Sequence, residues 1–270
     1  MEVGVSTACF FNRVLCEDSP ALLRLAGAGL GEIFLNTFRE YEPCFIALLK
    51  ERTEEQGIRI ISVHPQSTQF EPQLFSVYER QQKDALAVYR KVLQAAQTLG
   101  ARYYVMHGSL TLGGAAKNLQ IKRMADNYRM LCNIASDYGI QLTQENVSWC
   151  ANSYPEFGLH LQEEMGSQDL KFTLDCKQAV RAGYDPMRFI ETLGGQIVHW
   201  HLCDYAPRRE GGYFWRLPGQ GICDFAALAT ALRLSGYQGA GMLEVYSDMY
   251  ADMDELKACR DYLEKQLDCI

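Results

Sequence analysis

The chain comprises 270 residues, 48% hydrophobic and 22% charged, with a net charge of −7. That length assures a sizeable core in one large domain or two small ones, and the composition excludes extensive disorder. No apolar run reaches the ~20 residues of a membrane helix, and the acidic surplus argues against a protein that grips phosphate backbones, so neither membrane nor nucleic acid is an expected partner.

Taken in chain order, residues 2–6 read as an opening strand, and a unit then recurs: an amphipathic helix, a glycine, and a short β-branched or aromatic run. It appears as Leu25-Ala26-Gly27-Ala28-Gly29 before Glu32-Ile33-Phe34-Leu35, and as Gln56-Gly57 before Ile58-Arg59-Ile60-Ile61-Ser62-Val63-His64. Leu99-Gly100 precedes Tyr103-Tyr104-Val105-Met106-His107, and Tyr138-Gly139 precedes Ile140-Gln141-Leu142-Thr143-Gln144-Glu145. A sixth run ends at Leu174-Asp175, a seventh follows Gly195 as Ile197-Val198-His199-Trp200-His201, and the last is Met242-Leu243-Glu244-Val245.

The glycines suit helix ends, where the backbone turns left-handed. Ala85, Val88, Tyr89, Val92, Ala96 and Leu99 share one helical face, as do Met124, Tyr128, Leu131, Cys132, Ala135 and Tyr138. Asp185-Pro186 and Asp224 are helix starts. Eight strands alternating with helices predict a parallel sheet closed into a single (β/α)₈ TIM barrel spanning residues 1–270. A doubly wound open sheet is the competitor, but no Gly-x-Gly-x-x-Gly follows the first strand.

The ten cysteines include no Cys-x-x-Cys pair, so neither a zinc ribbon nor a redox motif is expected. Reduced, mostly buried thiols in a cytoplasmic protein are the expectation, in keeping with an amino terminus that shows no basic segment followed by an apolar stretch.

Side chains of a strand alternate sides, and in six of the runs the titratable residue stands at the C-terminal end: His64, His107, Glu145, Asp175, His201 and Glu244. A barrel gathers those ends at one mouth, where barrel enzymes place their chemistry. Carboxylates and imidazoles crowded there need a compensating cation. Glu145, Asp175, His201 and Glu244 come from four consecutive strands and could surround one divalent ion. Three hard oxygen donors and one imidazole suit Mn²⁺ or Mg²⁺, with Co²⁺ and Zn²⁺ as alternatives. Any one of them could instead be a salt-bridged group at a strand end; four at matching positions are harder to explain that way.

At these residues the chain resembles the xylose isomerase-like superfamily of sugar phosphate isomerases and epimerases. The resemblance rests on Gln144-Glu145-Asn146, Thr173-Leu174-Asp175, His199-Trp200-His201-Leu202-Cys203-Asp204, the turn at 217–224 with its Gly-x-Gly-x-x-Asp spacing, and Leu243-Glu244-Val245. It implies that Glu145, Asp175, His201 and Glu244 hold one metal ion, that Glu145 and Glu244 exchange a substrate proton, and that the substrate is a small carbohydrate. Members of that superfamily often form homodimers, and the residues here neither confirm nor deny that partner. His64 and His107 would then meet substrate hydroxyls, with backbone-bonded histidines as the other reading. His199 lies one layer deeper than His201, and His160 reads as an ordinary helix residue.

One departure stands out. Where the family has a histidine three residues after the strand-six aspartate, this chain has Gln178, and Lys177 adds a charge. Gln178 can bond a hydroxyl but cannot titrate near neutrality. Lys177, in phase with Asp175, could balance carboxylates, bind an acidic substrate or lie along the rim. The segment from Pro207 to Arg216, with its glycines, arginines and three aromatics, reads as a lid or substrate-facing wall that includes Arg216, and Trp149 as an apolar wall for a sugar's C–H face. Either could instead pack on the rim or on a neighbouring subunit. Residues 205–221 contain no histidine, which sets aside the endonuclease branch of the superfamily. The expected activity is isomerisation or epimerisation through proton abstraction beside a carbonyl and an enediolate stabilised by the metal. A lyase or dehydratase on a keto-polyol and a non-catalytic sugar-binding barrel are the rivals.

Overall fold

The computed structural model describes residues 1–110 and 117–268, without the side chains of Ser67 and residues 117–120. Eight parallel strands close into a barrel wrapped by helices. The first half runs β1 (Val3–Ser6), α1 (Ser19–Leu25), β2 (Leu30–Leu35), α2 (Pro43–Glu55), β3 (Arg59–Pro65), α3 (Glu79–Leu99), β4 (Tyr103–Met106) and α4 (Lys117–Asp137). The second runs β5 (Gln141–Glu145), α5 (Phe157–Met165), β6 (Lys171–Asp175), α6 (Cys176–Arg181), α7 (Pro186–Leu193) and β7 (Ile197–Leu202). A small antiparallel hairpin, β8 (Asp204–Pro207) and β9 (Tyr213–Arg216), then leads into α8 (Phe225–Leu234), β10 (Gly241–Leu243) and α9 (Met253–Asp268). Around the barrel the order is β1-β10-β7-β6-β5-β4-β3-β2.

The expected helix faces are the ones that meet the strands. On α3, Ala85, Tyr89, Val92, Ala96 and Leu99 are buried, and the helix ends where Gly100 takes φ +74. Asp185 and Asp224 cap α7 and α8 by accepting the N–H groups of Met187 and Ala227. His160 is exposed on α5. The nine described cysteines are free thiols, eight buried and Cys44 exposed; Cys269 lies outside the described residues. No helix among the described residues is long and apolar enough to cross a membrane.

The lumen is filled in layers. At the bottom Leu30, Ala240 and Met242 pack together with Ile61. Gly4 is required there, because a Cβ at that position would stand 2.6 Å from Met242 Sδ and 2.8 Å from Leu30 O. Above this plug lies a polar layer of Ser6, Glu32, Ser62, Thr143, Thr173 and His199, all buried. The titratable strand ends form the next layer, at the mouth.

The rim after β7 is built on Asp204. Its Oδ1 accepts the N–H groups of Tyr205 (2.8 Å) and Cys223 (2.9 Å), and its Oδ2 those of Gly219 (3.0 Å) and Gly221 (2.9 Å). Gly221 has no room for a side chain, since a Cβ would come 2.2 Å from Asp204 Oδ1. The glycine spacing at 217–224 is thus a wrap around a buried carboxylate.

Candidate metal centre

Glu145 ends β5, Asp175 ends β6 and His201 lies on β7, while Glu244 stands one residue past β10, its N–H bonded to Leu202 O at 3.0 Å. Each offers one ligand atom, and the four atoms lie within 4.8 Å of one another. His201 is the hub: its Nδ1 is 2.8 Å from Glu244 Oε2, 3.2 Å from Glu145 Oε1 and 3.9 Å from Asp175 Oδ2. Asn146 clips the two neighbouring strand ends together, accepting the N–H of Asp175 at 2.6 Å and donating to its carbonyl at 3.0 Å. Asp175 also caps α6 through Oδ1, which accepts the N–H of Gln178 at 2.7 Å and leaves Oδ2 turned toward the cluster. The sequence run Gln144-Glu145-Asn146 therefore carries both a donor and the clip that sets its neighbour.

A second group abuts the first. His64 Nε2 and His107 Nε2 are 3.0 Å apart, and His107 Nε2 lies 2.9 Å from Glu145 Oε2. Burial and the neighbouring His107 push His64 down to about 4, whereas for His107 the charge of Glu145 overrides burial and raises it. His107 is held from behind by Glu71, a buried carboxylate in the 3₁₀ turn Glu71–Phe75. Glu71 accepts the backbone N–H groups of His107 (2.9 Å) and Gly108 (3.1 Å) and the hydroxyl of Tyr104 (3.1 Å).

Burial lifts Glu71 to about 7 from its ordinary 4.5. The folded chain thus keeps a proton that the unfolded chain has already released, so this group's contribution to stability is full below 4.5 and is lost as pH rises through 7. A glutamine can accept both N–H groups with its oxygen and donate to Tyr104 with its amide. Glu71→Gln is expected to flatten the fall of the thermal midpoint between about pH 5 and 8 and to exceed the parent's stability above pH 7 by up to roughly 3 kcal/mol. Thermal unfolding across that range checks it; a midpoint that falls with pH as the parent's does would contradict the assignment.

Lys177 is buried at the first turn of α6, its Nζ 3.5 Å from Asp175 Oδ2, 3.7 Å from Glu244 Oε2 and 4.8 Å from the ring centroid of Tyr246. The residues after Asp175 are helical, so Lys177 reaches the mouth from a helix turn and not by continuing the strand alternation. Gln178 Oε1 accepts from Ser148 Oγ at 3.1 Å and from its N–H at 3.4 Å. Trp149 stands at the rim, edge-on to His107 at 5.5 Å between ring centroids. Arg216 is exposed on β9 with its guanidinium over Phe214, and forms no ion pair with the clustered carboxylates.

Beneath the mouth, Glu32 of β2 is fully buried. Its Oε2 lies 2.9 Å from His199 Nε2 and 3.2 Å from His201 Nε2 and accepts from Ser62 Oγ at 2.7 Å; Oε1 accepts from Ser6 Oγ at 2.8 Å. Burial alone would raise Glu32, but the charge of His201 and the bonds from His199 and His201 hold it well below the usual carboxylate range. Burial opposes the charged form of His201 as well, yet Glu32 and Glu244 raise it well above the ordinary imidazole value. Glu244 is drawn down to about 2 by Lys177 and His201 against its burial, whereas burial lifts Asp175 to about 7 even with Lys177 beside it.

The sequence profile of the xylose isomerase-like TIM barrel family matches residues 21–266. The chain belongs to that family. The L-ribulose-5-phosphate 3-epimerase UlaE of Escherichia coli K12 is 24% identical over 215 residues, 79% of this chain and 74% of that protein. A D-tagatose 3-epimerase-like protein of known structure superposes with a TM-score of 0.80 at 21% identity, over 99% of this chain and 97% of its own. The IolI protein, crystallised with a bound zinc atom, gives 0.81 at 18% identity over 99% and 98%. At these identities the solved structures speak for the fold.

Does this member of the xylose isomerase-like barrels carry donors that fit a metal? Glu145 Oε2, Asp175 Oδ2 and Glu244 Oε2 are buried in the same cluster and, beyond their close contacts with His107, Lys177 and His201, accept no other hydrogen bond. Buried carboxylate oxygens with that much unused acceptor capacity, beside an imidazole, fit a hard divalent cation. The sequence pointed to the four residues that the fold brings together as candidate donors, but not to Glu32 or Glu71. Glu32 had a signal, being in phase with the inward-facing Leu30 and Phe34; Glu71, in a turn without periodicity, had none.

Proposed function

We propose that this chain is a divalent-metal-dependent epimerase or isomerase of a small ketose, ketose phosphate or related polyol, working by proton transfer at a carbon beside a carbonyl. The observation that carries the reading is the pairing of Glu145 and Glu244 around His201 Nδ1, each with its own basic neighbour: His107 for Glu145, Lys177 for Glu244. Two carboxylates on opposite sides of one site can remove a proton from one face of a carbon and deliver another to the opposite face. Glu145, Asp175, His201 and Glu244 would hold the metal, which when bound polarises the substrate's carbonyl and so acidifies the neighbouring C–H.

The remaining residues position the sugar. His64 and His107 offer imidazole nitrogens to hydroxyls at the β3–β4 side, the amide of Gln178 does so beside β6, and Trp149 presents an apolar face to C–H groups. The hairpin bearing Arg216 forms the wall after β7. The relatives' names point the same way: UlaE acts on a ketose phosphate, and the tagatose-type structures are ketose 3-epimerases or like them.

The test is incubation of the Mn²⁺-loaded protein with ketoses and ketose 5-phosphates in deuterium oxide, followed by NMR. One deuterium entering at a carbon beside the carbonyl, with inversion or carbonyl migration, is the expected result. Loss of water would assign a lyase instead. Absence of exchange with every ketose would overturn the reading.

A further inference from the structure

Resting on the proposed metal site, we infer that Glu32 is a positioning residue that selects which nitrogen of His201 is free to hold the ion. The two ring nitrogens of His201 face different worlds. Nδ1 looks up into the donors of Glu145, Asp175 and Glu244, while Nε2 looks down at Glu32 Oε2, 3.2 Å away. A neutral imidazole carries one N–H, and only the other nitrogen has a lone pair for a cation. An ionised carboxylate can only accept, so the nitrogen facing Glu32 is the one that keeps its hydrogen. With no ion bound Nδ1 faces carboxylates too and the ring holds both hydrogens; a cation seated among those donors would displace the hydrogen of Nδ1, while Glu32 keeps the one on Nε2.

Glu32 can impose this because it is itself immobilised. Its two oxygens take hydroxyls from Ser6 on β1 and Ser62 on β3, and a ring nitrogen from His199, two residues before His201 on β7. All of these residues are buried, so the carboxylate is withdrawn from bulk water. The side chain of β2 thus crosses the lumen to β7, and the serines fix its plane before any ligand arrives. Carboxylates placed behind a metal-binding histidine in this way orient the ring and strengthen its donor nitrogen. The polar layer under the mouth is then the lower half of the metal site, although none of its atoms would touch the ion.

The test uses the full chain. In the Zn²⁺-loaded, ¹⁵N-histidine-labelled parent, a long-range ¹H–¹⁵N spectrum should show His201 protonated at Nε2 and bare at Nδ1; the reverse tautomer would overturn the inference. Glu32→Gln keeps the size but can turn an N–H toward the ring, and its Mn²⁺ affinity by calorimetry is expected to fall roughly 10–100-fold. An affinity within about twofold of the parent's would equally overturn it. Should that variant fail to fold, the spectrum of the parent decides alone. A parent that binds neither Mn²⁺ nor Zn²⁺ overturns the metal reading itself, an outcome distinct from a parent that binds and a variant that binds as well.

Discussion

Glu244→Gln is expected to lower turnover, and deuterium incorporation at the reacting carbon, by about 10²–10⁴-fold at saturating metal. The amide has nearly the shape of the carboxylate but can neither take nor return a proton. Glu145→Gln should fall by a similar factor, because inversion passes a proton through both faces and either loss stops the cycle. Each glutamate is also a proposed ligand, so the comparison is made at metal concentrations shown by calorimetry to saturate the variant. Retention of exchange within about tenfold of the parent at Glu244→Gln would mean that another group removes the proton.

Lys177→Met should have opposite effects on the metal-free and metal-loaded protein. Lys177 is 3% exposed and is the permanent cation beside Asp175 and Glu244. Removing one partner of a buried charge cluster leaves the others uncompensated, at a cost of about 3–5 kcal/mol to the metal-free fold. A divalent ion then restores more of the balance than it does in the parent, so the rise in thermal midpoint on adding Mn²⁺ should widen. An unchanged metal-free midpoint would show that Lys177 does not balance the carboxylates. A narrower metal increment would show that it assists the ion instead of offsetting its absence.

The barrel was legible because its signals are local. Period-two runs, a glycine after all but the last helix, and aspartate caps at 185 and 224 all reside within a few residues of what they specify. The grouping of the four candidate donors was legible for a related reason: a titratable residue ending an apolar strand has one place to go once strands close. What remained hidden depends on closure or on distant backbone. Glu32 sits mid-strand, and only the closed lumen brings Ser6, Ser62 and His199 around it. Glu71 serves amides more than thirty positions away. Lys177 was placed by strand phase, whereas a helix turn delivers it. Arg216 shows the opposite limit: an arginine near a mouth reads as a ligand group from sequence, yet its guanidinium lies on Phe214 at the exposed side of a hairpin.

Asp204 has a consequence for how the rim moves. By binding the amides of residues 205, 219, 221 and 223 with one side chain, it divides the long connection between β7 and α8 into a short hairpin and a short closed turn. The four hydrogen bonds to Asp204 offset the entropy of closing those loops, and the anchor itself belongs to the segment that leaves the barrel wall. The amides of Gly219, Gly221 and Cys223 are released only when their bonds to Asp204 break, so their hydrogen exchange should be slower than that of the hairpin tip. The tip at residues 208–212, outside the anchor, is left as the part of this rim that can exchange and shift on its own.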